Sequence, residues 1–240
     1  MSNSILFVIP TLFNDPKLVN QCVIALVENL KNFNVSYKIV VVSNEPSQAF
    51  DEYIFSVPVS KMSSNVQFNV SKALNLAYTN NQDFEYFCFF DEGLKISNTS
   101  WLEYLIMMFE ENPNVGQVGC REHSTFLVYN KPVVDDPPIY EVLWADGIVL
   151  CKMQSLNEVN GFDESFFADR ELQDFGYQLT KLGYTNYLWK DLAESHSARP
   201  FELKHKNASE LLKLKARSQD IFIKRWGEFE KNKSNNIGKI

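Results

Sequence analysis

The sequence predicts an α/β fold built on a mostly parallel central sheet flanked by helices. Three short runs, Ser4–Ile9, Tyr37–Val42 and Phe84–Phe90, are apolar at nearly every position, as strands covered on both faces must be. Segments with helical spacing of apolar residues alternate with them, which is the pattern of strand–helix–strand units. Each run also ends on polar residues, around Thr11, Ser43 and Asp91. In an open parallel sheet such ends line one crevice, and ligands bind there.

The first unit is the strand ending at Pro10, then Asn14-Asp15-Pro16, a cap with proline in the first helical turn. Leu18, Val19, Cys22, Val23, Leu26, Val27 and Leu30 follow at helical spacing. The second strand closes on Ser43-Asn44-Glu45-Pro46-Ser47, and Asn69–Tyr78 places Ala73, Leu74 and Ala77 on one side of a helix. The third strand stops at Asp91-Glu92-Gly93. Beyond it the pattern is mixed: a helix over Ser100–Glu111, strands over Val115–Cys120 and Thr125–Tyr129, and an irregular, proline-bearing loop over Pro132–Pro138. A helix over Asp169–Leu182, capped by Asp169 and ended by Gly183, precedes a strand over Tyr184–Trp189. A long amphipathic helix runs from Ala208 to about Phe229. These elements make one domain over residues 1–230, with a first half at 1–98, a second at 99–230 and a flexible tail at 231–240.

Thirty acidic and 23 basic side chains give a net charge of −7, which excludes nucleic-acid binding over the whole surface because the polyanion is repelled. The charge is uneven, with +5 on residues 202–240 and −12 on the rest. A basic segment on an acidic body suits either an anionic partner, such as a phosphate group or a peripheral membrane surface, or a solvated helix face. Cys22, Cys88, Cys120 and Cys151 are scattered among apolar neighbours without a C-x-x-C, so they read as reduced core thiols. No signal peptide and no run of about 18 apolar residues is present, which makes the expected location cytoplasmic, soluble or peripheral to a membrane.

Asp91 and Glu92 deliver hard oxygen donors to a strand end, which suits Mg²⁺ or Mn²⁺ when phosphates complete the coordination. Asp and Gly also close strands for backbone reasons alone. Glu171 and Asp174 are three apart on one helix face, where one acid can serve as general base and the other orient it; first-turn acids also simply complement a helix dipole. His196, in the polar Glu194-Ser195-His196-Ser197 stretch, is a candidate nitrogen ligand for the same cation. The chain carries no G-x-G-x-x-G after the first strand, no G-x-x-x-x-G-K-[ST] and no G-x-S-x-G, which removes a dinucleotide cofactor, a P-loop NTPase and a nucleophile elbow.

With these motifs in order, the chain resembles family 2 glycosyltransferases of the GT-A fold. Phe7-Val8-Ile9-Pro10-Thr11 looks like their first strand, and Val40-Val41-Val42-Ser43-Asn44-Glu45-Pro46-Ser47 is similar to their V-V-D-N-x-S turn, with Ser43 in place of the base-contacting Asp. Ser71-Lys72-Ala73-Leu74-Asn75 resembles the G-x-x-x-A-x-N segment, and Asp91-Glu92-Gly93 stands at the D-x-D. Gly161-Phe162-Asp163-Glu164-Ser165-Phe166-Phe167 through Gly183-Tyr184 looks like G-F-D-E-x-F-F-x-x-x-E-D-x-D-L…G-Y, and Lys224-Arg225-Trp226-Gly227 like K-x-W-G. Where that family has the Asp of its E-D pair, this chain has Leu172.

The resemblance implies an inverting, metal-dependent transfer of a sugar from a nucleoside diphosphate sugar, a UDP-sugar first, to a hydroxyl of a glycan or glycolipid in polysaccharide biosynthesis. It implies Mn²⁺ or Mg²⁺ on Asp91 and His196, and donor contacts from Pro10, Thr11, Ser43, Asn44, Lys72, Asn75, Asp91, Glu92, Trp144, Asp146 and Gly147. Trp144 is expected to offer a sugar ring an apolar face, or to be an ordinary core aromatic. Glu171 is the expected base, with Asp174 and Asp169 behind it. Two other readings stay open: a non-catalytic sugar- or nucleotide-binding protein, which Leu172 favours, and a sugar nucleotidyltransferase, which Thr11-Leu12-Phe13-Asn14 does not resemble.

Overall fold

The computed structural model describes residues 3–11, 15–44, 47–66, 68–96, 98–121, 132–167, 169–189, 192–195 and 208–237. β1 (Ser4–Thr11), α1 (Pro16–Leu30), β2 (Ser36–Ser43), α2 (Gln48–Glu52), β3 (Ser60–Ser63), α3 (Val70–Thr79) and β4 (Tyr86–Phe90) form the first half. The second half holds β5 (Leu94–Ile96), α4 (Trp101–Glu111), β6 (Val115–Arg121), β7 (Ile139–Val142), β8 (Asp146–Lys152), α5 (Met153–Glu158), α6 (Glu171–Lys181), β9 (Thr185–Trp189), β10 (Ala193–Ser195) and α7 (Ala208–Ile237). Eight strands make one sheet in the order β3-β2-β1-β4-β8-β6-β9-β7, and β5 and β10 pair separately.

The strands from β3 to β4 are mutually parallel. β8 then runs antiparallel to both β4 and β6, β9 is parallel to β6, and β7 closes the edge antiparallel to β9. The sheet is therefore parallel in its first half and mixed in its second, as the change of pattern after Asp91 indicated.

Burial on both faces explains why the central strands are continuous apolar runs. Along β1, Ile5, Phe7 and Ile9 pack with residues of α1 and α4 on one side, while Leu6 and Val8 pack with residues of α3, α5 and α6 on the other. Each such side chain gains about 1.5–3 kcal/mol from burial. α1 starts where the cap predicts, with Asp15 accepting from Lys17 N (3.0 Å) and Leu18 N (3.2 Å) and Pro16 at the first turn. α7 joins this three-layer body through a third cluster of Leu143, Trp144, Phe166, Tyr177, Phe222 and Trp226.

Several elements differ from the sequence reading. Asp169 does not cap α6; the residue before the helix is Arg170, held at φ 75° with no side-chain cap bond. α7 continues to Ile237, past the expected end near Phe229. The expected strand over Thr125–Tyr129 lies outside the described residues. β7 and β8 form where no strand was assigned, because their pairing partners are distant in sequence.

The loop after α5 reaches back onto α3 at Gly161, whose φ is +80°. A Cβ there would stand 2.7 Å from Asn75 Oδ1, the atom that accepts from Phe162 N at 2.8 Å. Gly161→Ala therefore combines backbone strain with a broken joint, and a loss of about 1–3 kcal/mol is expected in urea unfolding. An unchanged midpoint would show that the loop has room to move.

Candidate active site

The carboxyl ends of the first strands meet as predicted. Thr11 and Ser43 are register partners, and both are fully buried. Asn44 N donates to Thr11 O at 3.4 Å, Ser64 N donates to Ser43 O at 2.9 Å, and Ser64 Oγ donates to Asn44 O at 3.3 Å. Pro10 is buried in β1 beside them. Asn44 is also fully buried, and neither atom of its amide has a hydrogen-bond partner among the described residues.

Asp91 follows β4 directly, and its backbone is fixed from both sides. Its N–H donates to Gly147 O at 2.9 Å, and its Oδ1 accepts from Gly93 N at 2.9 Å. The antiparallel register Phe90↔Ile148 sets this contact, so Asp91 lies against Asp146 and Gly147, which were expected beside the donor sugar. Asp146 Oδ1 accepts from Gly147 N at 2.6 Å, a turn made by Gly147 at φ 85°. Glu92 is half-buried, and it and Asp91 both act on Cys22 of α1, whose thiol is pushed up first by burial and then by these two carboxylates.

Glu171 opens α6 at the same end of the molecule. Its Oε2 is buried with no hydrogen-bond partner among the described residues. Burial pushes its carboxyl up to about 8; Asp146 and Asp169 add to the rise, and a backbone bond and Lys215 of α7 oppose it. Leu172 explains why the acid belongs at 171. Its side chain is buried in the cluster shared by α3, α5 and β8, so position 172 faces the core.

Three other expected residues have different tasks. Asp174 is buried inside the protein, where Oδ1 accepts from Arg225 Nη1 (2.9 Å) and Trp226 Nε1 (2.7 Å) and Oδ2 from Gln178 Nε2 (2.6 Å). A carboxylate so occupied anchors α7 to α6. Asn75 is consumed by the Gly161 loop: its Nδ2 donates to Phe162 O (2.7 Å) and Glu164 Oε1 (3.1 Å), and its Oδ1 accepts from Phe162 N. This amide is not a free nucleotide contact, whereas Lys72 lies half-buried on the first turn of α3. Trp144 is 8% exposed within the α6–α7 cluster, so it is the core aromatic and not an open sugar platform. His196 lies outside the described residues.

The residues present fit a divalent cation that arrives with its own oxygens. Among the described residues no group of three ligating side chains forms a cage. Asp91 nonetheless offers a fixed carboxylate at a strand end, which is how Mg²⁺ and Mn²⁺ are held when substrate phosphates supply the remaining ligands.

By sequence, the chain matches no protein-family model and no curated protein. By structure, it superposes on the catalytic domain of Drosophila β1,4-galactosyltransferase 7 with a TM-score of 0.56 at 14% identity, over 85% of this chain and 74% of that one. It has the GT-A fold. A mannosyltransferase from Pyrobaculum calidifontis, solved with GDP-Man and Mn²⁺, gives a TM-score of 0.61 at 15% identity over 85% of this chain and 60% of that one. S. aureus TarS, residues 1–349, gives 0.56 at 13% identity over 93% and 72%. The sequence expectation of this fold is borne out. No helix among the described residues is long and apolar enough to cross a membrane.

The environment of Glu171 gives a stability signature. Burial pushes its carboxyl up to about 8 from the 4.5 of a free glutamate, so the fold prefers it protonated and loses stability as pH rises from about 4.5 to 8. Glu171→Gln removes that loss. The variant is expected to melt close to the parent at pH 4.5 and above it at pH 8.5. Equal melting at both pH values would place the carboxyl in water.

Proposed function

We propose that the protein is a glycosyltransferase that moves a sugar from a nucleoside diphosphate sugar, a UDP-sugar first, to a hydroxyl of a glycan or glycolipid. The observation that carries this reading is the convergence of Asp91, Asp146 and Glu171, from three distant segments, at the carboxyl end of a GT-A sheet. The neighbours support it: the Drosophila enzyme has been solved with manganese, UDP-Gal and xylobiose, and the Pyrobaculum enzyme with GDP-Man and Mn²⁺.

In this reading the base and ribose lie over Thr11, Ser43 and Asn44, whose amide has no partner among the described residues. Asp91 would hold a Mn²⁺ or Mg²⁺ ion together with the donor diphosphate, and His196 is a further candidate ligand. When bound, the ion supplies positive charge where the leaving diphosphate becomes negative. Asp146 and Gly147 border the donor sugar. Glu171 takes the acceptor hydroxyl proton as that oxygen bonds to the anomeric carbon, and the bond to the diphosphate breaks with its electron pair leaving on the nucleotide. Attack from the face opposite the diphosphate inverts the anomeric centre. A base titrating near 8 in the free enzyme gives kcat/KM that rises with pH through that value.

The second reading, a non-catalytic binder, rests on Leu172. The core position of that side chain weakens it, since the residue facing the crevice is an acid.

Thermal shift with UDP, GDP, CMP and dTDP, each with Mn²⁺ or EDTA, tests the donor site, because ligands that bind only the native state raise the melting temperature. One nucleotide is expected to stabilise the protein only with metal, and Asp91→Ala to abolish the effect. Glu171→Gln should keep that binding while slowing turnover about 10²- to 10⁴-fold, the usual weight of a general base. Absence of binding by every nucleotide would sink the transferase reading. Binding without hydrolysis or transfer would favour the binder.

A further inference from the structure

We infer that Arg225 of α7 is a positioning residue of the transfer site, bracing the segment that presents Glu171. The inference rests on the proposed role of Glu171, and its geometry is independent of that role.

Arg225 bridges two carboxylates from the two flanks of one segment. Nη2 meets Asp163 Oδ2 at 2.5 Å, Nη1 meets Asp174 Oδ1 at 2.9 Å, and the guanidinium lies 5.3 Å over the ring of Phe166 between them. Asp163 precedes Glu171 by eight residues, and Asp174 follows it by less than one helical turn. Both ends of the strap that carries Glu171 are thus tied to one planar fork. A lysine ammonium cannot reproduce that geometry. α7 adds further ties to the middle of the strap: Phe167 N donates to Ser218 Oγ at 2.8 Å, Arg217 lies over Phe167, and Arg170 lies over Phe222.

The strap needs such a brace. Arg170, immediately before Glu171, sits in the left-handed region, a conformation that is strained in a non-glycine residue and persists only where surrounding contacts fix it. At Glu171 itself a backbone bond reaches the carboxyl, while Oε2 has no hydrogen-bond partner among the described residues. The carboxylates that take the brace are committed to it. Asp163 is held below its ordinary range because bonds from Ser165 and Arg225 outweigh the upward push of burial, and Trp226 and Gln178 complete the shell of Asp174.

The brace also reaches the first half of the chain. Asp163 Oδ1 accepts from Ser165 N at 2.8 Å, Glu164 O accepts from Asn69 Nδ2 at 3.0 Å, and Phe162 is bonded both ways to Asn75. Asn69 caps α3, whose first turn carries Lys72. Arg225 therefore holds the base strap in register with the helix that flanks the donor end of the sheet.

The test compares the full chain with Arg225→Gln, Arg225→Lys and, as a control on the outer face of α7, Ile223→Ser, a 54% exposed position. Three quantities are read: amide hydrogen exchange, calorimetric Kd for UDP with Mn²⁺, and the rate and pH profile of UDP-galactose hydrolysis. Arg225→Gln should speed exchange at residues 162–171 at least tenfold while leaving the β1–β4 amides protected. It should keep Kd within twofold, lower kcat at least tenfold with little change in KM, and move the rising limb of the pH profile. Arg225→Lys should recover only part of the rate, and the Ile223 control should match the parent. Unchanged exchange in the strap, or an unchanged kcat, overturns the inference. So does a parallel loss of Kd, kcat and protection across the sheet, which would mean Arg225 only supports global folding. Should the parent itself neither bind UDP nor hydrolyse the donor, the transferase reading fails for UDP-sugars, and the exchange data alone decide whether Arg225 braces the strap.

Discussion

The antiparallel pairing of β4 with β8 is the constraint on which the rest of the molecule depends. β1 to β4 form a parallel, doubly covered half-sheet that could end at β4. β8 docks on that edge in reverse, with Phe90 opposite Ile148, and β6, β9 and β7 are built outward from it. The same register places Asp91 N against Gly147 O, so one set of ladder bonds joins the halves and assembles the acidic end of the crevice. Strand registers are quantised, and a slip by one residue would turn Asp146 and every following side chain of β8 to the opposite face.

The first half was legible because its signals are local and redundant. The apolar runs of β1, β2 and β4 reflect burial on both faces, and Asp15-Pro16 is a sufficient start signal for α1. β8 carries a comparable run, Ile148-Val149-Leu150-Cys151, but its partners Phe87 and Gln117 are about 64 and 34 residues away, and periodicity cannot supply that pairing. The α6 start was misplaced because the chain enters it through a left-handed Arg170, a conformation that side-chain type does not announce.

The placement of the candidate acids was more legible than the partners of the polar side chains around them. Asp91 bonds to Gly147 beside Asp146, and Asp146 lies close enough to Glu171 to raise its carboxyl. Asp174 and Asn75, equally polar and equally placed in motifs, are spent on internal joints, to α7 and to the Gly161 loop. A sequence shows that a carboxylate lies on a helix face but not which donor reaches it from 51 residues away. The resemblance of Lys224-Arg225-Trp226-Gly227 marked that donor without giving it a role. α7 thus frames α6: its hydrophobic face closes over that helix, and its Arg225 and Trp226 satisfy the buried acid beneath.

The central claim, that the β4–β8 junction is where a cation and a nucleotide diphosphate meet, is tested most directly by paramagnetic relaxation. Mn²⁺ titrated at substoichiometric levels into amide-labelled protein broadens resonances close to the ion. With UDP present, the amides of Gly93, Asp146 and Gly147 should broaden first, those on the far side of the sheet in α4 should stay sharp, and omission of UDP should largely remove the effect. Broadening centred elsewhere, or the same at Gly147 with and without nucleotide, would contradict the account.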